Sequence, residues 1–382
     1  MNIIRKVYER AVNWSKYIGL FIVVFSVSCL GKNSDIDYVY NPPGQLNDGW
    51  QVSTLQENGL DSGIIIELSD KIIDDHYKGI NSLLIIRNDA LLFEGYYNGF
   101  DREDRRRLYS VTKSVSSALI GIAIDKDYIE DVNIYISPFF PCCIDLDWSN
   151  SRDEITLKHM LTMTSGLEWE ELAYPYSDYR NSHNQMGRSD NWFRFTLSRS
   201  MAHEPGTRFA YSTGTSNLLA GAIRYTSGRN IDDFARTHLF EPLGIDSYSW
   251  VDDPQGNPCA GGSNGGLSLR PRDLAKFGYL YLNAGRWQGT QIVAEEWIAE
   301  SISNQLPDDH GFSYGYQWWM RYFEYKNSTV GSFFAMGYGG QYVFIIPTLD
   351  MEIIVTSSNY GERFAYAQVY EMVEDFVLKA VN

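Results

Sequence analysis

The segment LYSVTKSVSSALIGIAI, residues 108–124, contains one charged side chain, Lys113, in an otherwise small and apolar run. Its pattern predicts a helix over 108–126, and a helix that is apolar on nearly all faces is normally buried in a large core. A buried ammonium group is costly unless the protein compensates or uses it. Lys113 is therefore the first residue that calls for a functional explanation.

Ser110 stands three residues before Lys113, which on a helix places both side chains on one face, one turn apart. Ser110 would lie at the helix N-terminus, where the positive end of the dipole favours a developing oxyanion. Burial should lower the pKa of Lys113, so that the lysine could act as a base. About one Ser-x-x-Lys pair is expected by chance in such a chain. The apolar context, more than the spacing, therefore supports the hypothesis.

The composition narrows the classes of function. The chain has 382 residues and a formal net charge of −16, which argues against nucleic-acid binding because phosphate recognition needs a basic face. The six histidines show no His-Glu-x-x-His spacing, so no zinc site is predicted. An exported protein could pair Cys142 or Cys143 with Cys259, and the sequence leaves that open.

The N-terminus predicts export. Basic residues precede an apolar run at residues 17–30, a length that suits a secretory signal better than a bilayer-spanning helix. Small residues before Cys29 resemble a bacterial lipoprotein signal, so Cys29 is expected to be lipidated and to hold a periplasmic protein on a membrane. An uncleaved membrane anchor is the alternative.

The order of patterns predicts an α+β fold. Apolar runs around Asn88-Asp89 predict one hairpin, and the runs QYVFIIP and MEIIVTSSN predict a second near the C-terminus. Helical patterns lie between them, at 108–126, 155–164, 215–227, 231–239, 272–284 and 294–303, and a last one follows at 364–381. We expect one antiparallel sheet built from both chain ends and flanked by helices, with a mainly helical insertion.

The predicted domain organisation has four parts. Residues 1–29 form the signal, and residues 30–60 form a polar tether and strap. Residues 60–125 and 290–382 form the sheet-containing part, and residues 126–289 form the helical insertion. Within the insertion, GGSNG at 261–265 fits the Gly-x-Ser-x-Gly nucleophile elbow, but no strand precedes it. Ser263 is therefore not the predicted nucleophile.

Two further motifs complete a pattern. Tyr211 lies at a loop-to-helix entry, with Ser212 or Thr213 as the cap, and the run 338–341 (Tyr-Gly-Gly-Gln) opens a late strand. Ser-x-x-Lys, then Tyr211-Ser-Thr, then this run resembles the serine β-lactamase and penicillin-binding-protein superfamily, over about residues 60–378. The closest similarity is to its class C β-lactamase-like branch, which includes esterases, D-amino-acid peptidases and 6-aminohexanoate-oligomer hydrolases.

This resemblance implies a β-lactamase/transpeptidase-like fold and an acyl-enzyme mechanism. Ser110 would attack an ester or amide carbonyl, Lys113 would be its base, and Tyr211 would assist proton transfer. The backbone N–H groups of Ser110 and Gln341 would form the oxyanion hole. Neither a metal nor an organic cofactor is implied, and the oligomeric state is left open.

Two departures from the family pattern bear on the substrate. Thr213 stands where penicillin-processing members have Asn, and Tyr338 stands where the third motif usually has Lys or His. A substrate carboxylate would lose its usual cation, which favours a small neutral ester or amide, although Arg270 or Arg321 could supply the charge. The expected pocket residues are Thr213, Tyr338, Gly339, Gly340 and Trp318. A β-lactamase or D-amino-acid peptidase, and a non-catalytic binding protein, are the alternatives.

Overall fold

The computed structural model describes residues 38–382, apart from 144, 147, 149, 150 and 307–311. The predicted signal with Cys29, and the first residues of the 30–60 segment, lie outside the described residues. Among the residues that are described, no helix is long and apolar enough to cross a bilayer.

One large sheet organises the molecule. In chain order the strands are β1 (Gln51–Val52), β2 (Ile80–Arg87), β3 (Ala90–Tyr96), β4 (Arg106–Arg107), β5 (Tyr248–Trp250), β6 (Leu267–Leu269), β7 (Arg286–Trp287), β8 (Thr290–Gln291), β9 (Ser313–Tyr314), β10 (Trp319–Tyr325), β11 (Ser328–Gly337), β12 (Gln341–Ile346) and β13 (Met351–Ser357). The large sheet has the order β1-β3-β2-β13-β12-β11-β10-β9. β13 pairs antiparallel with β2, which confirms that strands from both chain ends build one sheet.

Helices cover both faces of this sheet. They are α1 (Ser62–Ile73), α2 (Val111–Asp125), α3 (Leu157–Leu161), α4 (Ser182–Gly187), α5 (Trp192–Leu197), α6 (Thr213–Ser227), α7 (Ile231–Ala235), α8 (Pro271–Leu282), α9 (Glu295–Ser301) and α10 (Phe364–Glu371). Short π-helical turns, Arg236–Phe240 and Met372–Val377, continue α7 and α10. α1, α4 and α5 are helices that the sequence patterns did not predict.

Alternation along the strands divides the apolar core into two layers. In β2, Leu84 and Ile86 pack on the side of α2, α6 and α8, whereas Leu83 and Ile85 pack on the side of α1 and α10. This period of two is what a pleated strand imposes on its side chains. These layers cover both faces of the sheet, so β12 and β13 are buried along their whole length.

The two predicted hairpins are present, and their turns have a local cause. Asn88 and Asp89 adopt left-handed backbone angles (φ 50° and 63°) between β2 and β3, a conformation that Asn and Asp tolerate better than most residues. A 3₁₀ turn, Pro347–Leu349, joins β12 to β13. The long pair β10–β11 was not predicted, and it extends the sheet on the far side of β12.

The opening segment forms the most deeply buried helix. Every side chain of α2 from Val111 to Ala123 is buried, as its apolar pattern predicts. The helix packs between the sheet and α6, so that its N-terminal end meets the start of β12 and the loop before β6. The division into a sheet part and a helical insertion stays a prediction.

Candidate active site

Ser110 and Lys113 are in contact at the N-terminus of α2. Ser110 is the N-cap residue and is partly exposed, whereas Lys113 is only 1 % exposed. Lys113 Nζ donates hydrogen bonds to Ser110 Oγ (3.1 Å), to Thr213 Oγ1 (2.9 Å) and to the carbonyl oxygen of Gly261. Burial lowers the pKa of Lys113 from 10.5 to about 8, against the opposing charge of Glu171. A reachable hydroxyl thus lies beside a buried amine that can become neutral.

The glycine-rich loop 261–266 supports the turn that presents Ser110. Tyr109, with a left-handed φ of 48°, donates its N–H to the carbonyl of Gly265 at 2.9 Å. Gly262 has φ 82°, and a Cβ there would collide with the Tyr109 carbonyl, so only glycine fits. Ser263 begins a 3₁₀ turn rather than a strand-to-helix elbow, and its Oγ lies 3.2 Å from His183 Nε2.

Tyr211 lies beside Lys113, at the entry to α6. Ser212 caps this helix by accepting from the Thr215 N–H at 3.1 Å, one of the two predicted caps. The Tyr211 ring is 5.0 Å from Lys113 Nζ. Burial and then the Glu171 charge raise the pKa of Tyr211, and a hydrogen bond with Ser110 opposes them. The three residues assigned to acyl transfer are therefore brought together.

Thr213 is also at the site, and it connects Lys113 to a residue that the sequence analysis missed. Its hydroxyl donates to Glu171 Oε1 at 2.6 Å, and its N–H donates to Glu171 Oε2 at 2.8 Å. Glu171 is 2 % exposed and also accepts from Trp169 Nε1 and Tyr176 OH. No motif marks Glu171, because it lies in the irregular segment after Leu167 that packs on α6 only in the folded chain.

The third motif forms the tight turn between β11 and β12. A Cβ at Gly337 would collide with the carbonyl of Leu108, so this turn lies directly against the start of α2. Gly339 has φ 86°, and a Cβ there would lie 2.5 Å from the Tyr360 ring. The Gln341 side chain donates to the Ser357 carbonyl at 2.6 Å, which fixes the first residue of β12. The oxyanion-hole role of the Ser110 and Gln341 N–H groups stays a prediction.

Three tyrosine rings surround Tyr338, the residue that stands where the third motif usually has Lys or His. The Tyr338 ring lies 5.5 Å from Tyr109, 5.5 Å from Tyr176 and 5.8 Å from Tyr360, measured between centroids. Tyr338 and Tyr109 are partly exposed, so the rings form a wall beside Ser110 rather than a closed core. Burial raises the pKa of Tyr338 above 10, which keeps its hydroxyl neutral. This wall, Tyr109, Tyr176, Tyr338 and Tyr360, is called the tyrosine wall below.

Trp318 does not line the site, which corrects the expectation for this residue. Its side chain is fully buried, with the Tyr281 ring at 4.3 Å and the Phe277 ring stacked at 6.1 Å. The next residue, Trp319, instead stacks on Tyr211 at 5.8 Å. Trp319 begins β10, where successive side chains point to opposite faces of the sheet. An error of one residue therefore selects a core side chain instead of the one that faces the site.

The two arginines considered as substitute cations are engaged elsewhere. Arg270 forms ion pairs with Asp273 (2.6 Å), Asp246 (2.7 Å) and Glu103 (3.3 Å). Arg321 lies over two aromatic rings, 3.8 Å from the Tyr370 centroid. A third arginine, Arg106, donates to Ser358 Oγ at 2.8 Å, and its charge opposes the burial that raises the pKa of Tyr360.

The described residues also bear on metal binding and on disulfide formation. Across the part of the chain that the structure describes, no three His, Cys, Asp or Glu side chains gather as a metal site would require. Among the described residues, Cys259 is a buried free thiol.

Comparison with known proteins places this geometry in a family. The profile of the family described as beta-lactamase matches residues 71–372. The chain belongs to the beta-lactamase family. One relative in this family, the 6-aminohexanoate-dimer hydrolase of Paenarthrobacter ureafaciens, is 26% identical over 295 residues, which cover 73% of this chain and 72% of the relative.

Solved structures of beta-lactamase-like proteins share the fold. The hydrolase EstCE1, described as having promiscuous acyltransferase activity, matches with a TM-score of 0.66 at 15% identity, over 82% of this chain and 98% of its own. A beta-lactamase/D-alanine carboxypeptidase from Yersinia pestis matches with a TM-score of 0.65 at 18% identity, over 86% and 100%. The family and its hydrolase members identify the protein as a serine hydrolase with the beta-lactamase fold.

Proposed function

We propose that this protein hydrolyses small neutral esters or amides through an acyl-enzyme on Ser110. The observation that carries the proposal is the contact between Lys113 Nζ and Ser110 Oγ, 3.1 Å apart. The lysine is buried and its pKa lies near 8, while the serine hydroxyl remains partly exposed. A nucleophile needs access to substrate, and its base needs a pKa close to the working pH.

The chemistry would proceed in two halves. Neutral Lys113 takes the proton of Ser110 Oγ as this oxygen attacks the carbonyl carbon, and the leaving group takes up a proton as its bond to carbon breaks. Tyr211 lies close enough to Ser110 and Lys113 to pass that proton on. A water then attacks the acyl-enzyme, gives up a proton to the same base, and frees the acid and Ser110.

The tyrosine wall supports a neutral substrate. A carboxylate bound beside Tyr338 would meet aromatic rings and a neutral hydroxyl where relatives of the penicillin-processing type place a cation. An aliphatic or aromatic acyl group would bury apolar surface against the same rings. The names of one relative, a 6-aminohexanoate-dimer hydrolase, and of one structural neighbour, a hydrolase with acyltransferase activity, are consistent with acyl transfer to Ser110.

One observation favours the second candidate, a β-lactamase or D-amino-acid peptidase. Arg106 lies close enough to Tyr360 to affect its pKa, so this arginine could meet a substrate carboxylate from the far side of the tyrosine wall. Its guanidinium is already bound to Ser358 and lies over the Phe100 ring at 4.0 Å. A carboxylate would have to compete with these contacts, so we rank this function second.

Covalent labelling with a fluorophosphonate tests the nucleophile. We expect one adduct on Ser110, lost in Ser110→Ala together with ester hydrolysis. Ser263→Ala is the matched control, because Ser263 is a serine in the glycine-rich loop beside Ser110 whose Oγ contacts His183 instead of Lys113; it should keep the Ser110 adduct. An adduct mapped to Ser263, or none in a folded protein, would overturn the proposal.

A further inference from the structure

The hydroxyl of Thr213 has two partners that require different roles of it. Its oxygen lies 2.6 Å from Glu171 Oε1 and 2.9 Å from Lys113 Nζ. A hydroxyl carries one hydrogen to donate and two lone pairs that accept. Only one of the two neighbours can therefore receive the Thr213 hydrogen.

Glu171 is the neighbour that receives it. The carboxyl group has four hydrogen-bond contacts, from Trp169 Nε1 (2.8 Å), Tyr176 OH (3.2 Å), and the N–H (2.8 Å) and hydroxyl (2.6 Å) of Thr213. All four are donors, which is the environment of an ionised carboxylate because that form only accepts. The short hydroxyl contact is typical of a charge-assisted bond. The Thr213 hydrogen is thus committed to Glu171, and its lone pairs face Lys113.

This commitment limits what neutral Lys113 can do. A neutral amine has two hydrogens and one lone pair, and that lone pair needs a donor. The Gly261 carbonyl can only accept, and Thr213 has no hydrogen left to offer. Of the three groups among the described residues that are hydrogen-bonded to Lys113 Nζ, only the Ser110 hydroxyl can donate to it. The lone pair then lies along the path by which the serine proton leaves.

We propose that Glu171 is a positioning residue that, through the Thr213 hydroxyl, directs the lone pair of Lys113 toward Ser110. The inference rests on the proposed function. In the step itself, the Ser110 O–H bond breaks and its proton forms a bond to Lys113 Nζ, leaving an ammonium with three hydrogens. The electron pair of the O–H bond stays on the serine oxygen, which uses it to attack the carbonyl carbon. The Gly261 carbonyl, the Thr213 hydroxyl and the serine oxygen accept the three ammonium hydrogens, so no N–H is left without an acceptor.

The same carboxylate sets the charge around the base. Glu171 is the acidic group facing Lys113, and the neighbouring titratable groups are Tyr211, whose ring is 5.0 Å from Nζ, and His183. The charge of Glu171 raises the pKa of Lys113 against the larger effect of burial. Removing it must lower that pKa further, so a rate controlled by neutral Lys113 would reach its plateau at a lower pH.

Glu171→Gln tests the inference on the full-length protein, with p-nitrophenyl butyrate as substrate. We expect the plateau of kcat to fall by roughly tenfold or more, with KM little changed, and the ascending limb of kcat/KM to move to lower pH. Thr213→Val should lose a similar factor with a smaller movement of the limb, since the carboxylate remains, and Thr213→Ser should restore activity. The double variant should lose little more than the worse single one, because the two residues act in one chain.

Glu170→Gln is the matched control, because this exposed neighbour removes the same charge outside the contacts described above. If Glu171→Gln keeps the wild-type ascending limb of kcat/KM and the wild-type plateau of kcat, and Ser110 is still labelled, this inference alone is overturned. Labelling that survives Ser110→Ala would overturn the proposed function and this inference with it. If Glu171→Gln does not fold, the activities of Thr213→Val and Thr213→Ser are compared instead. Equal activity of these two variants would refute the proposal that the Thr213 hydroxyl directs the lone pair of Lys113.

Discussion

Replacing Lys113 by arginine separates its positive charge from its ability to act as a base. A pKa of about 8 instead of 10.5 leaves roughly one-tenth of the lysine neutral at pH 7, about 300 times the fraction of an exposed lysine. Arginine keeps the charge but cannot give up its proton. Because general-base catalysis typically contributes about 10²–10⁴-fold, Lys113→Arg should lose that factor in kcat/KM.

The assay is the pH dependence of kcat/KM for p-nitrophenyl butyrate between pH 6 and pH 10, corrected for spontaneous hydrolysis. Wild type should rise with pH and level off above about 8, because the neutral form of Lys113 is the active one. Burial lowers the pKa of His183 from its ordinary 6.5, so a limb set by that histidine would lie below 6.5. The position of the limb therefore tells the two bases apart.

Lys276→Arg is the matched control for burial. Lys276 is also 1 % exposed, and it pairs with Asp273 at 3.2 Å away from the Ser110 contacts. This variant should keep the wild-type limb even if its melting temperature falls. Activity of Lys113→Arg within tenfold of wild type, or a wild-type limb below pH 6.5, would refute the lysine-base mechanism.

Two further predictions concern the substrate and the core. Loss of a charge-assisted bond to a carboxylate is worth about 1.5–3 kcal/mol, or roughly ten- to a hundredfold. Nitrocefin should therefore be turned over more slowly than p-nitrophenyl butyrate by at least that factor. Tyr338→Lys, but not Tyr338→Phe, should reduce this difference in rate. If nitrocefin is turned over faster, β-lactamase becomes the first-ranked function. Glu352 is fully buried opposite Gly278, its carboxyl oxygens have no hydrogen-bond partner among the described residues, and burial raises its pKa well above 4.5. The proton on Glu352 stabilises the folded protein below the pKa of this group in the unfolded chain, and this stabilisation is lost as pH rises toward its pKa in the folded protein. Between pH 5 and pH 8 the melting temperature of wild type should therefore fall relative to that of Glu352→Gln. Melting temperatures that change in parallel with pH would contradict this.

The local sequence was sufficient to predict features that lie within a single helix, strand or turn. The spacing of Ser110 and Lys113, the burial of the helix around them and the turn at Asn88-Asp89 all depend on residues a few positions apart. Backbone geometry alone relates such residues, with a period of 3.6 in a helix and of 2 in a strand. The two hairpins from the two chain ends followed from the same patterns, and the sheet confirms them, whereas the pair β10–β11 did not.

The tertiary structure decided the contacts that join distant segments. Glu171 reaches Thr213 across 42 residues, and the Gly261 carbonyl reaches Lys113 across 148. Neither segment carries a periodic pattern, because loops are positioned by packing against a scaffold rather than by their own propensity. Trp318 and Trp319 show the same limit at single-residue scale, since only the register of β10 determines which ring meets Tyr211. The sequence by itself determined which residues could perform the chemistry, and the folded chain determined which groups face the base, because hydrogen-bond direction depends on atoms brought together from separate loops.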